Sequence, residues 1–185
     1  MKYPFLAAAA LPLFLVGCGD SGDSGSMTLS LTDGPVDTAN KVVVRFDSVT
    51  LKPAEGEAIK FDFEEAKDID LLTLTGTAST PLLDNVNLDP GKYEWIRLGV
   101  QAEKDNVMDS YIELADGSQK ELYVPSGSNS GLKLNKGFTV QTGGAVSYTI
   151  DFDLRKSITE SNGDYKLRPT LRIVDNTEVG SISGT

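Results

Sequence analysis

The sequence predicts an all-β protein, an antiparallel β-sandwich with little helix, on two observations. Apolar residues recur at every second position through most of the chain, the period of a half-buried strand. The alternating runs are short and are divided by Gly, Pro, Asn and Asp turns, the spacing of a sandwich. Only 63–74 and 78–84 have a composition compatible with helical turns, and both are short.

Taken in order, Met27, Leu29 and Leu31 face one way and Thr28, Ser30 and Thr32 the other, until Asp33-Gly34-Pro35 breaks the strand. Val42, Val44 and Phe46 form a second apolar face. Past Asp47-Ser48 the phase moves to Val49 and Leu51, which implies a β-bulge or a strand that changes sheets. Residues 53–57 turn the chain, and Ile59, Phe61 and Phe63 return as the partner of a hairpin, with Lys60, Asp62 and Glu64 outward. Ile96, Leu98 and Val100 alternate against Trp95, Arg97 and Gln101. Ile112 and Leu114 pair with Leu122 and Val124 around Asp116-Gly117. A two-residue turn there would set Leu114 opposite Gln119 and Ile112 opposite Glu121, so an odd-length loop is expected. Leu132 with Leu134 and Phe138 with Val140 are short strands. Val146, Tyr148, Ile150, Phe152 and Leu154 form the longest alternation, and Leu167, Leu171 and Ile173 close the series, Pro169 marking an edge or a strand start. The core is expected around Phe46, Phe61, Ile96, Ile150 and Phe152.

The domain boundaries come from composition. Residues 5–16 are almost wholly apolar, preceded by Lys2 and closed by Leu15-Val16-Gly17-Cys18, the layout of a secretory signal. The run is shorter than the roughly 20 residues a bilayer span needs. Leu-Val-Gly-Cys resembles the lipobox of bacterial lipoproteins, and that resemblance implies cleavage before Cys18, lipidation of Cys18 and a stable membrane anchor through more than one acyl chain. The alternative is an ordinary signal peptide with an incidental cysteine. The expected layout is a signal peptide at 1–17, a flexible Gly/Ser/Asp tether at 18–26, a β-sandwich domain at 27–176, and a tail or the start of a further module at 177–185. Gly19 after Cys18, in place of Asp, resembles the residue that permits sorting to an outer membrane.

Composition narrows the chemistry. The formal charge is −10, and cleavage after Gly17 would remove Lys2 and no acid, giving −11. Such acidity argues against nucleic acid and against an anionic bilayer as partner. The chain has no histidine and one cysteine, which removes Ser-His-Asp and Cys-His catalysis and histidine-ligated metals. Carboxylate chemistry, hard cations bound through oxygen, or no chemistry remain.

Six blocks in order carry a wider resemblance: 29–37 (Leu-Ser-Leu-Thr-Asp-Gly-Pro-Val-Asp), 69–72 (Ile-Asp-Leu-Leu), 90–98 (Pro-Gly-Lys-Tyr-Glu-Trp-Ile-Arg-Leu), 125–134 (Pro-Ser-Gly, then Ser130-Gly131-Leu132-Lys133-Leu134), 151–157 (Asp-Phe-Asp-Leu-Arg-Lys-Ser) and 165–171 (Tyr-Lys-Leu-Arg-Pro-Thr-Leu). Together they resemble the bacterial lipoprotein domain called domain of unknown function 4382, from about Met27 to Asn176. The resemblance implies a β-rich, immunoglobulin- or prealbumin-like envelope module and supplies no activity and no catalytic residue. The tail at 180–185 resembles the opening strand of prealbumin-like modules that follow this domain in longer relatives.

Four groups of residues have chemical potential. Asp151 and Asp153 lie two apart on one strand face, about 6.5–7 Å, within reach of paired carboxylate chemistry. Arg155 and Lys156 beside them favour an ion-paired outer face instead. Asp62, Glu64, Glu65, Asp68 and Asp70 form the densest acidic run, read as a solvated loop in preference to a calcium site, because no Asp-x-Asp-x-Asp-Gly loop occurs and Lys67 interrupts it. Asp33, Asp37 and Asp47 could converge in space. Tyr93, Trp95 and Arg97 share the face opposite Ile96 and Leu98, and aromatic rings beside an Arg on an exposed face suit contact with a sugar or a partner protein. The competing reading of Trp95 is a corner-filling core residue.

The expected function is that of a lipid-anchored cell-envelope module, non-catalytic and without cofactor or metal. It would bind an envelope protein or glycan through Tyr93, Trp95 and Arg97 and the membrane through Cys18. The alternatives are a carboxylate-only enzyme acting on a glycan and a calcium-dependent adhesive module.

Overall fold

A computed structural model describes residues 24–33, 39–127, 131–168 and 170–176. Among these residues thirteen strands form two sheets: β1 (Gly25–Asp33), β2 (Ala39–Pro53), β3 (Ile59–Asp70), β4 (Thr80–Leu88), β5 (Gly91–Gln101), β6 (Tyr111–Leu114), β7 (Gln119–Tyr123), β8 (Leu132–Leu134), β9 (Phe138–Val140), β10 (Ala145–Phe152), β11 (Ile158–Ser161), β12 (Asp164–Leu167) and β13 (Leu171–Asp175). A 3-10 turn at Leu71–Thr73 and the four-residue helix α1 (Leu154–Ser157) are the only helical elements among the described residues. The smaller sheet has the order β13-β10-β1-β4. The larger runs β11-β12-β7-β6-β2-β5-β8, with β3 on β2 and β9 on β5.

The all-β sandwich is present, with one correction to its antiparallel character. β1 runs parallel to β10 from Ser26↔Ala145 to Asp33↔Phe152, and β12 runs parallel to β7, so both sheets are mixed. Parallel neighbours need a long crossover, and more than a hundred residues separate β1 from β10. Alternation within a strand is blind to that pairing.

One core lies between the sheets. Met27, Leu29, Leu31, Ile150 and Phe152 from the smaller sheet and Val44, Phe46, Leu51, Ile96 and Leu98 from the larger are fully buried. Phe61 is only partly buried, because β3 is the edge strand beside β2. Phe138 of β9 and Tyr148 of β10 meet across the two sheets at 5.3 Å between ring centroids.

The phase change at Asp47 is a bulge within one continuous strand: the pairing of β2 with both β3 and β5 shifts between Phe46 and Ser48. The extra residue returns Val49 and Leu51 to the face that Phe46 occupies. The β6–β7 hairpin has the expected odd loop, with Leu114 N–H donating to Ser118 O at 2.9 Å. Ile112 sits opposite Lys120, so Leu122 and Val124 share its face without pairing with it directly.

Three expectations fail and one hairpin is unforeseen, each for a local reason. Residues 63–70 continue β3, and 80–84 open β4, where helical turns were allowed. β4 shifts register twice against β1 and carries Asn85 at φ 47°, so its apolar residues lose the period-two signal. The hairpin β11–β12 turns at Asn162-Gly163, both with positive φ (55° and 81°), a turn signal to which the alternation reading gave no weight. Gly25 and Ser26 belong to β1 and not to the tether. Gly25 is buried, and a Cβ there would lie 2.8 Å from Gln141 O and Gly144 O, so glycine serves close packing at that position. Residues 18–23 of the expected tether, Cys18 among them, Pro169 and the tail at 177–185 lie outside the described residues.

Candidate functional site

The outer face of the larger sheet is built where β2, β3, β5 and β8 lie side by side. Thr50 of β2 pairs with Lys60 of β3 on one side and Arg97 of β5 on the other, and Arg97 pairs in turn with Lys133 of β8. One transverse row therefore reads Lys60, Thr50, Arg97, Lys133. Lys52 and Trp95 are paired in the adjacent row. Leu51, Ile96, Leu98 and Leu132, the intervening residues, are fully buried beneath. Two of the six blocks that carry the family resemblance, 90–98 and 125–134, meet at this point.

Tyr93 is not part of that face. The pairing of β5 with β2 shifts between Lys52 and Pro53, so Lys52 is opposite Trp95 while Pro53 is opposite Tyr93. Glu94 is the extra residue, and the bulge turns Tyr93 to the inside. Its ring is 1% exposed and stacks on Phe138 at 4.8 Å with an interplanar angle of 4°. Its hydroxyl donates to Asp89 O at 3.0 Å. Burial, and secondarily the charge of Asp89, pushes the phenol above its usual value. Tyr93 is a core residue, and the three-residue contact face of the sequence reading reduces to Trp95 and Arg97.

Trp95 is half-buried on the outer face. The Arg97 guanidinium carbon lies 5.0 Å and Lys133 Nζ 4.5 Å from its ring centroid, both within cation–π range. Lys133 is the residue sequence reading missed, because only the β5–β8 register brings it beside Arg97. Gly131, at φ 53°, precedes β8, and a Cβ there would meet Leu98 O at 2.5 Å and Arg97 Cγ at 3.1 Å. The methylenes of Arg97 are thus packed against a glycine. Among the described residues Arg97 Nε is buried without an acceptor. Of the flanking lysines, Lys60 pairs with Asp62 at 2.5 Å, and Lys52 Nζ donates to Pro53 O at 2.7 Å and Gly56 O at 2.9 Å.

The carboxylate groups are engaged elsewhere. Asp151 is ion-paired with Arg172, its direct partner on β13, and Asp153 with Lys156 at 2.6 Å. The hydrogen bond from Lys156 holds the Asp153 carboxyl below its usual value. The acidic run at 62–70 lies along β3 and not on a loop. Within it Asp68 meets Arg45 at 2.8 Å, and Asp70 caps the 3-10 turn by accepting from Leu72 N–H while also accepting from Val42 N–H, each at 3.2 Å. The convergence of Asp33 and Asp37 with Asp47 turns on side chains outside the described residues. Asp47 instead lines a cleft of about 260 Å³ with Glu103, Asp105 and Asp109. There Asp47 accepts from the Ser48 hydroxyl at 2.7 Å, Asp105 from Val107 N–H at 2.9 Å, and Asp109 pairs with Arg45 at 2.6 Å. Among the described residues no three carboxylates come together in a way that could hold a metal ion.

No curated protein and no solved structure matches this chain. A family model described as a domain of unknown function (DUF4382) matches residues 24–169, well over half of the sequence and all of the strands that build the outer face. The chain belongs to the DUF4382 family.

Proposed function

We propose that this chain is a lipid-anchored lipoprotein of the cell envelope, sorted to the outer membrane where there is one, whose sandwich acts by contact as a non-catalytic binding or structural module. The observation that carries the reading is the outer face at Trp95. A half-buried indole and two cations stand on paired strands, over a fully buried layer. Interface hot spots favour Trp and Arg in such settings. The anchor half of the reading rests on Leu15-Val16-Gly17-Cys18 and the apolar run before it.

Each half has its own test. Metabolic labelling with a fatty-acid analogue should mark the wild-type chain and leave Cys18→Ser unlabelled; label retained on Cys18→Ser refutes the anchor. For the face, capture from envelope extracts is compared between wild type and Trp95→Ala. Truncation of a hot spot costs at least about 2 kcal/mol, roughly thirtyfold in affinity, with a smaller loss of fold stability than truncation of a core aromatic. Capture unchanged by Trp95→Ala removes the face from the account.

A further inference from the structure

Resting on the reading of that face as a contact surface, we infer that its partner is an acidic polysaccharide, whose carboxylates are bound by Arg97 and Lys133 with Trp95 holding the two cations in place. Arg97 and Lys133 are direct cross-strand partners, a like-charge placement that disfavours the sheet. Among the described residues neither forms an ion pair with an acid, although the chain carries a net charge of −10. Among the described residues Arg97 Nε is in addition buried with no acceptor, and folded proteins rarely leave such a donor unpaired. The Trp95 ring offsets part of this by drawing both cations toward it. An oxyanion between them would satisfy the rest.

The shape and chemistry of the row select the class of anion. From Lys60 to Lys133 the row crosses three inter-strand gaps, roughly 14 Å, which is longer than one small ion and suits successive charged units of a chain. Arg97 and Lys133 offer only donors, Thr50 adds a hydroxyl, and Lys60, already paired with Asp62, closes the row, a set complementary to carboxylates and sugar hydroxyls. A protein partner would want an apolar centre. The large hydrophobic side chains exposed among the described residues are Val107, Met108 and Val174, none of them on this row, and the Trp95 ring is already engaged by its own cations. An anionic bilayer would meet the acidic remainder of the molecule. A thin polymer avoids that, because its charges need approach only this row, and fields from the rest are screened over about 10 Å at 0.1 M salt.

The test is electrophoresis of the full chain in detergent micelles, through gels containing polygalacturonate or neutral dextran. Wild type should be retarded by polygalacturonate alone at about 0.1 M salt. Arg97→Gln with Lys133→Gln should raise the dissociation constant at least tenfold. The control pair Lys41→Gln with Lys156→Gln makes the same change in net charge elsewhere and should keep wild-type retardation. The melting temperature of the Arg97/Lys133 double variant should stay within about 3 °C of wild type, since removal of the like-charge pair offsets much of the two lost cation–π contacts. A fall of several degrees would assign both cations to stability and overturn the proposal, as would equal retardation of the two double variants or no retardation of wild type. Binding to phosphatidylglycerol vesicles without retardation by polygalacturonate overturns it in favour of a membrane surface. Trp95-dependent capture from extracts that persists when polygalacturonate fails would leave the contact reading standing and reject only the glycan.

Discussion

Tyr93 and Trp95 are two residues apart, and a regular strand would put them on the same face. The bulge at Glu94 separates them, and alanine substitutions measure that separation. Tyr93 is 1% exposed and stacked on Phe138. Truncating a buried aromatic ring costs about 3–5 kcal/mol, from lost transfer free energy and the cavity left behind. Removal of the hydroxyl alone, in Tyr93→Phe, forfeits one hydrogen bond to Asp89 O and costs about 0.5–1.5 kcal/mol. Trp95→Ala loses two cation–π contacts, each worth about 0.5–1 kcal/mol near the surface, and part of its apolar burial. Urea unfolding followed by circular dichroism should therefore rank Tyr93→Ala well below Trp95→Ala, with Tyr93→Phe near wild type. At about 2–4 °C per kcal/mol for a chain of this size, Tyr93→Ala should lower the melting temperature by roughly 6–20 °C. Equal losses for the two alanine variants would mean that the bulge does not reverse the strand's faces and that Trp95 belongs to the core.

Three further outcomes follow from the packing. Phe152→Ala, at a fully buried site between β1 and β13, should destabilise by about 3–5 kcal/mol, while Asp151→Asn, which breaks an exposed pair with Arg172, should change stability by about 1 kcal/mol or less; similar midpoints in urea would contradict the assigned faces of β10. Gly163→Ala should cost about 1–2 kcal/mol because the turn holds that residue at φ 81°, and an unchanged midpoint would argue against the left-handed turn between β11 and β12. The Asp116 carboxyl is held below its usual value first by the Ser118 hydroxyl, and Asp153 first by Lys156. A depressed folded-state value contributes stability above the unfolded value, and that contribution is lost as the pH falls through the folded one. Stability should decline below about pH 4, less steeply in Asp116→Asn with Asp153→Asn than in wild type; parallel acid limbs would show that neither group is linked to folding.

Most of the fold was legible because burial imposes period two on a strand whatever its partners are. That is why Met27–Leu31, Val42–Phe46, Ile96–Val100 and Ile150–Phe152 were assigned their inward faces correctly. The bulge at Asp47 could be read as well, since a phase shift inside an apolar run leaves a trace in the sequence. The bulge at Glu94 left none: Tyr93 and Trp95 are both aromatic, and either could stand on either face. β4 was missed for a related reason, its two register shifts having scattered the apolar positions. The site shows the same division. An aromatic residue beside a cation on β5 was visible as Trp95 and Arg97, whereas Lys133 lies 36 positions beyond Arg97 and only strand pairing brings them together. Sequence by itself determined the period, the composition and the motif at Cys18, because those depend on neighbours along the chain. Which strands run parallel, which face Tyr93 takes and which cations meet over Trp95 depend on hydrogen bonds between distant segments, and only the tertiary structure decided them.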